Sequence, residues 1–179
     1  RLGLALEEAD RLKTLLNEIL QYAREPTLEA IDLDLVALVR KLQNEIADLP
    51  WAQERTVNVE STLPKAWITG DTDKLKQVFI NLIRNACEAV AAGDTIIWRI
   101  ARAEHPHHVC VSVHNGGPPI PPEVLEKLGQ PFFTTKSGGN GLGIAIVKRI
   151  VEAHQGDFSI ESTAEQGTTV QVILPLAQG

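Results

Sequence analysis

Three glycines at alternate positions, Gly139, Gly141 and Gly143, stand immediately before an apolar run that reads as a helix from Leu142 to about His154. Glycine has no Cβ, so the backbone there can approach a ligand closely. The first turn of a helix adds unpaired N–H groups and the positive end of the helix dipole. Such an entry suits an anion, and phosphate is the natural one. On its own the spacing also describes an ordinary packing loop. Its meaning depends on three other stretches that precede it: NLIRNACEAV from Asn81, NGGPPIPPE from Asn115 and PFFTTK from Pro131.

The pattern between these stretches alternates helix with strand. Strands are expected near Ile31 to Leu33, Val57 to Val59, Trp67 to Thr69, Ile96 to Ala101, Val109 to Val113, Phe158 to Ser162 and Thr168 to Leu174, with a turn from Glu165 to Gly167. Helices are expected from about Asp34 to Leu49 and again after Asp71, a capping residue followed by the apolar face Leu75, Val78, Phe79, Leu82, Ile83, Ala86 and Val90. This order predicts an α+β fold: a two-layer α/β sandwich with a mixed, mostly antiparallel sheet on one side and helices on the other. A long amphipathic helix precedes it. There Leu2, Ala5, Ala9, Leu12, Leu16, Ile19 and Ala23 follow three- and four-residue steps, a heptad seam widened by Leu6, Leu15 and Leu20. The seam asks for a helical partner or, alternatively, for the chain's own domain. Pro26 ends it.

Asn81, Asn85 and Glu88 lie at i, i+4 and i+7, so they share one line along the long helix. A carboxamide oxygen is a hard donor, and Mg²⁺ takes few protein oxygens beside substrate phosphates. Taken alone, a solvated polar stripe explains the line more simply. In NGGPPIPPE, Gly116 and Gly117 permit close approach, and Asn115 carries both a donor and an acceptor for a purine edge; a strand-ending turn explains the loop equally well. The segment from Gly129 to Gly141, with Phe132, Phe133 and Lys136, is long enough to close as a lid.

Charge and composition remove several functions. With 17 basic against 23 acidic residues and a net charge of −6, no basic face is left for nucleic acid. No apolar run approaches the ~20 residues that cross a bilayer, so no membrane contact is expected. Cys87 and Cys110 sit in apolar patterns without zinc spacing and read as buried free thiols, which fits a cytoplasmic location. His105, His107 and His108 crowd a turn around Pro106 and read as exposed polar residues without a role.

In order and spelling, the four stretches resemble the catalytic, ATP-binding domain of sensor histidine kinases, and most of all the nitrogen-regulation type. The resemblance spans residues 67–175. It implies the histidine-kinase/gyrase-type ATPase fold, ATP and Mg²⁺ as cofactors, Asn85 as metal ligand, and Asn81 as a supporting contact to metal or phosphate. It implies a nucleotide site that also includes Asn115, Gly117, Phe132, Thr134, Thr135, Gly139, Gly141, Leu142, Gly143 and Thr168, with Lys136 neutralising charge. The family's adenine-binding aspartate is Asn115 here and a glycine of the same box is Pro119, which implies a weaker adenine contact. Asn81 stands where related hydrolases carry a basic glutamate, which favours phosphoryl transfer over hydrolysis. Residues 1–26 resemble the second helix of the dimerisation and phosphotransfer bundle, and residues 27–179 the catalytic domain. This implies a homodimer through the first helix, a response-regulator receiver domain as partner, and a parent protein with its membrane anchor, where it has one, upstream. None of His105, His107, His108, His114 or His154 has the sequence context of the phosphoacceptor, so the acceptor is expected upstream and self-phosphorylation is not. A nucleotide-gated interaction module without chemistry, or a serine kinase of the anti-sigma-factor type, are the alternatives.

Overall fold

The computed structural model describes residues 1–136 and 141–178. Helix α1 (Leu2–Ala23) is followed by strand β1 (Ile31–Asp34), helix α2 (Leu35–Ile46), a 3-10 turn at Pro50–Ala52, and strands β2 (Thr56–Ser61) and β3 (Trp67–Gly70). Helix α3 (Thr72–Ala89), strands β4 (Thr95–Arg102) and β5 (His108–Asn115), the short helix α4 (Pro122–Leu125), helix α5 (Gly143–Ala153) and strands β6 (Asp157–Thr163) and β7 (Gly167–Pro175) complete the order. Five strands form one sheet in the order β2-β4-β5-β7-β6. Only the β2–β4 pair is parallel; the others are antiparallel.

This is the expected mixed, mostly antiparallel two-layer architecture. β1 and β3 pair with each other in a separate two-stranded sheet, with Leu33 opposite Ile68. Neither that pairing nor α4, which starts on Pro122, is visible in the sequence pattern.

The core lies between the large sheet and α2, α3 and α5. Period-two alternation turns Ile96, Trp98 and Ile100 of β4 and Val109, Val111 and Val113 of β5 inward. Period-3.6 spacing turns Leu75, Val78, Phe79, Leu82, Ile83, Ala86 and Cys87 of α3 onto them. Phe79 and Trp98 meet with ring centroids 5.8 Å apart at 52°, within the tilted geometry that aromatic pairs favour.

The start of α3 is fixed from three sides. Asp71 caps it by accepting from Lys74 N (3.1 Å), and the same carboxylate accepts from Glu29 N (2.9 Å). The Asp71 N–H donates to Nε2 of the buried His154 (3.0 Å), whose Nδ1 lies 2.8 Å from Ile150 O. With Nε2 accepting, the proton sits on Nδ1, which donates to that carbonyl. His154 therefore ties the end of α5 to the start of α3. Burial alone would raise the Asp71 carboxyl, but the Glu29 and Lys74 N–H groups and the Lys74 charge hold it below its ordinary 3.8.

Helix α1 ends at Ala23, just before Pro26. Its seam divides between two environments. Leu15, Ile19 and Tyr22 pack on the core, while Leu2, Leu12, Leu16 and Leu20 remain exposed. Gln21 and Gln77 exchange a reciprocal pair of amide hydrogen bonds (2.7 and 2.9 Å). Arg149 of α5 lies over the Tyr22 ring (4.8 Å to the centroid) and donates to Tyr22 O. A cavity of about 470 Å³ lies along this contact, lined among others by Asn17, Tyr22, Lys74 and Arg149.

Removing the cap in Asp71→Ala is expected to cost about 1–2 kcal/mol of stability at neutral pH, read from urea unfolding. A carboxyl depressed in the folded state stabilises above its unfolded value and loses that contribution as pH falls through its folded value. The wild-type and variant curves should therefore converge below pH 3.8; a gap of constant size down to pH 3 contradicts the assignment.

Candidate functional site

The polar line of α3 survives as a line in space. Asn85 Nδ2 donates to Asn81 Oδ1 (3.2 Å), so each carboxamide orients the other. Both are half-buried at the rim of the helix's apolar face. The free oxygen of Asn85 accepts from Lys136 Nζ at 2.8 Å, and the same ammonium donates to Glu88 Oε2 at 2.5 Å. The other carboxylate oxygen of Glu88 accepts from Arg84 Nε at 3.0 Å. Burial pushes the Glu88 carboxyl up, but the hydrogen bonds and charges of Lys136 and Arg84 outweigh it and hold the group below 4.5. Two cations and one carboxylate leave this cluster with an excess positive charge.

The glycine-bearing stretch meets this line from above. A Cβ at Gly143, the first residue of α5, would stand 3.0 Å from Asn81 Nδ2. The absence of a side chain lets α5 begin against the Asn81 carboxamide. Ile146 N donates to Leu142 O (2.8 Å) in the first turn of the helix. The first turn of a helix points its N–H groups and the positive end of its dipole out of the helix start, which suits an anion. Leu142 itself is fully buried and anchors this start in the core.

Gly141 has φ +75°, and a Cβ there would lie 2.3 Å from Phe132 C, while Phe132 N donates to Gly141 O (3.1 Å). The PFFTTK segment thus lies directly on the residue that leads into α5. Phe132 is itself left-handed at φ +67° and 60% exposed, whereas Phe133 is half-buried with Lys127 Nζ 5.9 Å from its ring centroid. Thr134 Oγ1 accepts from Lys136 N (3.0 Å) and so shapes the turn that presents Lys136; Thr135 is exposed. Gly139 lies outside the described residues.

Asn115 closes the other end. It is 5% exposed at the end of β5, opposite Thr168 of β7, and its Nδ2 donates to Gly116 O (2.6 Å), leaving Oδ1 as the acceptor. Gly117, at φ +89°, lets the loop lie on the end of α3, where a Cβ would meet Ala89 O at 2.9 Å. The buried Thr168 shares a hydrogen bond with Ser162 (2.7 Å), and Ser162 Oγ accepts from Ile120 N (2.8 Å). Ser162, Glu88 and Arg84 are members of this neighbourhood that sequence reasoning left without a role. Glu88 was visible as the third member of the α3 line, but its partner Lys136 is 48 residues away.

The described parts of the four stretches therefore meet around α3: a carboxamide pair, a cationic cluster, a glycine-led helix start, and a buried amide at the end of β5. Hard carboxamide oxygens, concentrated positive charge and a helix start reached through glycines together suit a phosphate-bearing ligand. The chain belongs to the histidine kinase-, DNA gyrase B-, and HSP90-like ATPase family, whose sequence profile matches residues 70–178. Among its relatives is Sporulation kinase B of Bacillus subtilis (strain 168), 34% identical over 173 residues; the match takes in 96% of this chain and 40% of that protein. The chain thus spans well under half the length of this relative. Among solved structures, full-length ShkA in complex with AMPPNP superposes with a TM-score of 0.84 at 26% identity, over 97% of this chain and 37% of that one. Histidine kinase ThkA in complex with the response regulator protein TrrA gives 0.77 at 32%, over 98% and 50%.

An alanine at 141 would need a left-handed conformation and would collide with the Phe132–Phe133 backbone. Gly141→Ala is expected to cost about 1–3 kcal/mol and to move the backbone amide resonances of Phe132 and Phe133. Unchanged resonances at both would show that the segment does not lie on Gly141.

Proposed function

We propose that this chain is the ATP-binding catalytic part of a two-component sensor histidine kinase, transferring the γ-phosphoryl group of ATP to a histidine on a separate segment and thence to a response-regulator aspartate. The observation that carries this reading is the convergence on α3: Lys136 reaches Asn85 Oδ1 while Gly143 brings the start of α5 against Asn81. Family membership, the kinase relatives and the AMPPNP-bound neighbour support it.

Residues 27–179 form the catalytic domain in this reading, and residues 1–26 a helix of the dimerisation and phosphotransfer bundle. The exposed leucines of α1 support a homodimer through that helix. The ThkA complex with TrrA supports a receiver domain as partner. No helix among the described residues is long and apolar enough to cross a membrane, which agrees with a catalytic part on the cytoplasmic side.

The donor set fits Mg²⁺ with a triphosphate: Asn85 Oδ1 is a hard oxygen, and the Glu88 carboxylate, one helical turn along, is joined to it through Lys136 Nζ. Asn85 would hold the metal, which neutralises charge on the phosphate oxygens during transfer, and Asn81 would orient Asn85 and support the contact. Gly141, Leu142 and Gly143 form the phosphate-facing entry to α5, and Gly139 is assigned to the same nucleotide site from its place in the sequence. Phe132, Thr134 and Thr135 shape the lid that delivers Lys136 to the phosphates. Asn115 Oδ1 accepts from the adenine amino group, with Gly117 and Thr168 framing the base. Asn81 cannot abstract a proton from water, so the site favours a protein nucleophile over hydrolysis.

The test is calorimetric titration of AMPPNP with and without Mg²⁺, joined to transfer from ATP onto a separately supplied phosphotransfer domain. The wild type should bind more tightly with Mg²⁺ and yield acid-labile phosphohistidine. Asn85→Ala should lose both the Mg²⁺ enhancement and the transfer. Asn115→Asp should tighten binding about fivefold, because a charged acceptor exceeds a neutral one by about 1 kcal/mol. Binding without transfer would assign the chain to a nucleotide-gated interaction module, and acid-stable phosphoserine to a serine kinase.

A further inference from the structure

Every polar atom at the centre of the α3 line has a partner. Asn85 gives its Nδ2 to Asn81 and takes Lys136 on Oδ1; Glu88 takes Lys136 on one oxygen and Arg84 on the other. The Lys136 ammonium is thus held by a carboxamide and a carboxylate, the second a charge-assisted hydrogen bond. Glu88 stands one helical turn beyond Asn85, and its lowered carboxyl stays ionised at neutral pH.

A divalent metal on the same carboxamide oxygen would sit at about 2.1 Å. The ammonium is 2.8 Å from that oxygen, so the two cations would stand no more than about 4.9 Å apart. This is well inside a screening length of about 8–10 Å, so salt does little to relieve their repulsion.

We propose that Lys136 and the divalent metal are alternative cations on Asn85 Oδ1, with Glu88 the positioning residue that holds Lys136 there, so that metal entry unlatches the 131–136 segment. Nucleotide binding then becomes a cation exchange. With the carboxamide oxygen given over to a metal, Lys136 would carry its charge, with the Thr134-shaped turn behind it, toward the phosphates. The segment that covers the nucleotide is released by the arrival of the metal that accompanies it. This inference rests on the proposed metal role of Asn85 and adds to it a competitor within the same chain.

The experiment titrates Mn²⁺ into nucleotide-free protein, followed by the free-ion EPR signal, for the wild type, Lys136→Met and Asn85→Ala. Removing the competing cation should tighten Mn²⁺ binding about tenfold in Lys136→Met. Adding Mn²⁺ to the wild type should speed tryptic cleavage after Lys136, and Glu88→Gln should be cleaved at the faster rate without metal. Equal Mn²⁺ affinity in the wild type and Lys136→Met, with binding lost in Asn85→Ala, overturns the exchange and leaves the metal role standing. No Mn²⁺ binding by Lys136→Met at millimolar concentration also overturns the exchange. Wild-type Mn²⁺ affinity in Asn85→Ala overturns the metal role and the exchange together.

Discussion

The structure depends on one helix that serves as both core and site. The apolar side of α3 fills the space above β4 and β5, and the polar line a third of a turn away carries Asn81, Asn85 and Glu88. Because Leu82, Ile83, Ala86 and Cys87 are buried against the sheet, the rotation of the helix about its axis has no freedom. The carboxamides inherit that fixity. A site built on side chains interleaved with core residues is positioned to the tolerance of the packing itself. The Asp71 cap and the His154 bond fix the remaining coordinate, the position of α3 along its own axis.

Around this helix the loops are placed by close backbone contact and little by side-chain packing. Gly141 lies on Phe132 and Phe133, Gly143 on Asn81, and Gly117 on Ala89. At each contact a methyl group would force atoms apart, so these glycines set distances between segments that are far apart in sequence. The positive charge then has a defined place: Arg84 comes from the helix and Lys136 from the loop, and Glu88 joins them.

Much of this was legible beforehand, for reasons that differ by element. Long periodic segments such as α3, β4 and β5 follow directly from the spacing of their apolar residues, and the Asp71 cap from residue type and place. The β1–β3 sheet was not legible as a pair, because two four-residue strands give too little alternation and their partnership joins residues 31–34 to 67–70. Helix α4 is a single turn begun by proline and has no periodicity to read. Within the site, Asn81 and Asn85 were readable as one helical line. The tie between Glu88 and Lys136 was not, because ion pairing across 48 residues leaves no mark in local pattern. His154 went unread for the same reason: its partner, the Asp71 amide, is 83 residues distant. Ser162 likewise acquires meaning only when β6 and β7 bring it beside Thr168.

Helix α5 touches two things at once. Its first residue abuts Asn81, and six residues later Arg149 grips Tyr22 of α1. At 1.5 Å of rise per residue these two contacts are about 9 Å apart along a single hydrogen-bonded rod. A rod that short has no internal joint, so it acts as a strut: a displacement at Tyr22 is felt at Asn81 as motion of the whole strut. The end of α1 and the polar line of α3, far apart in sequence, are in this chain tied to two ends of the same lever.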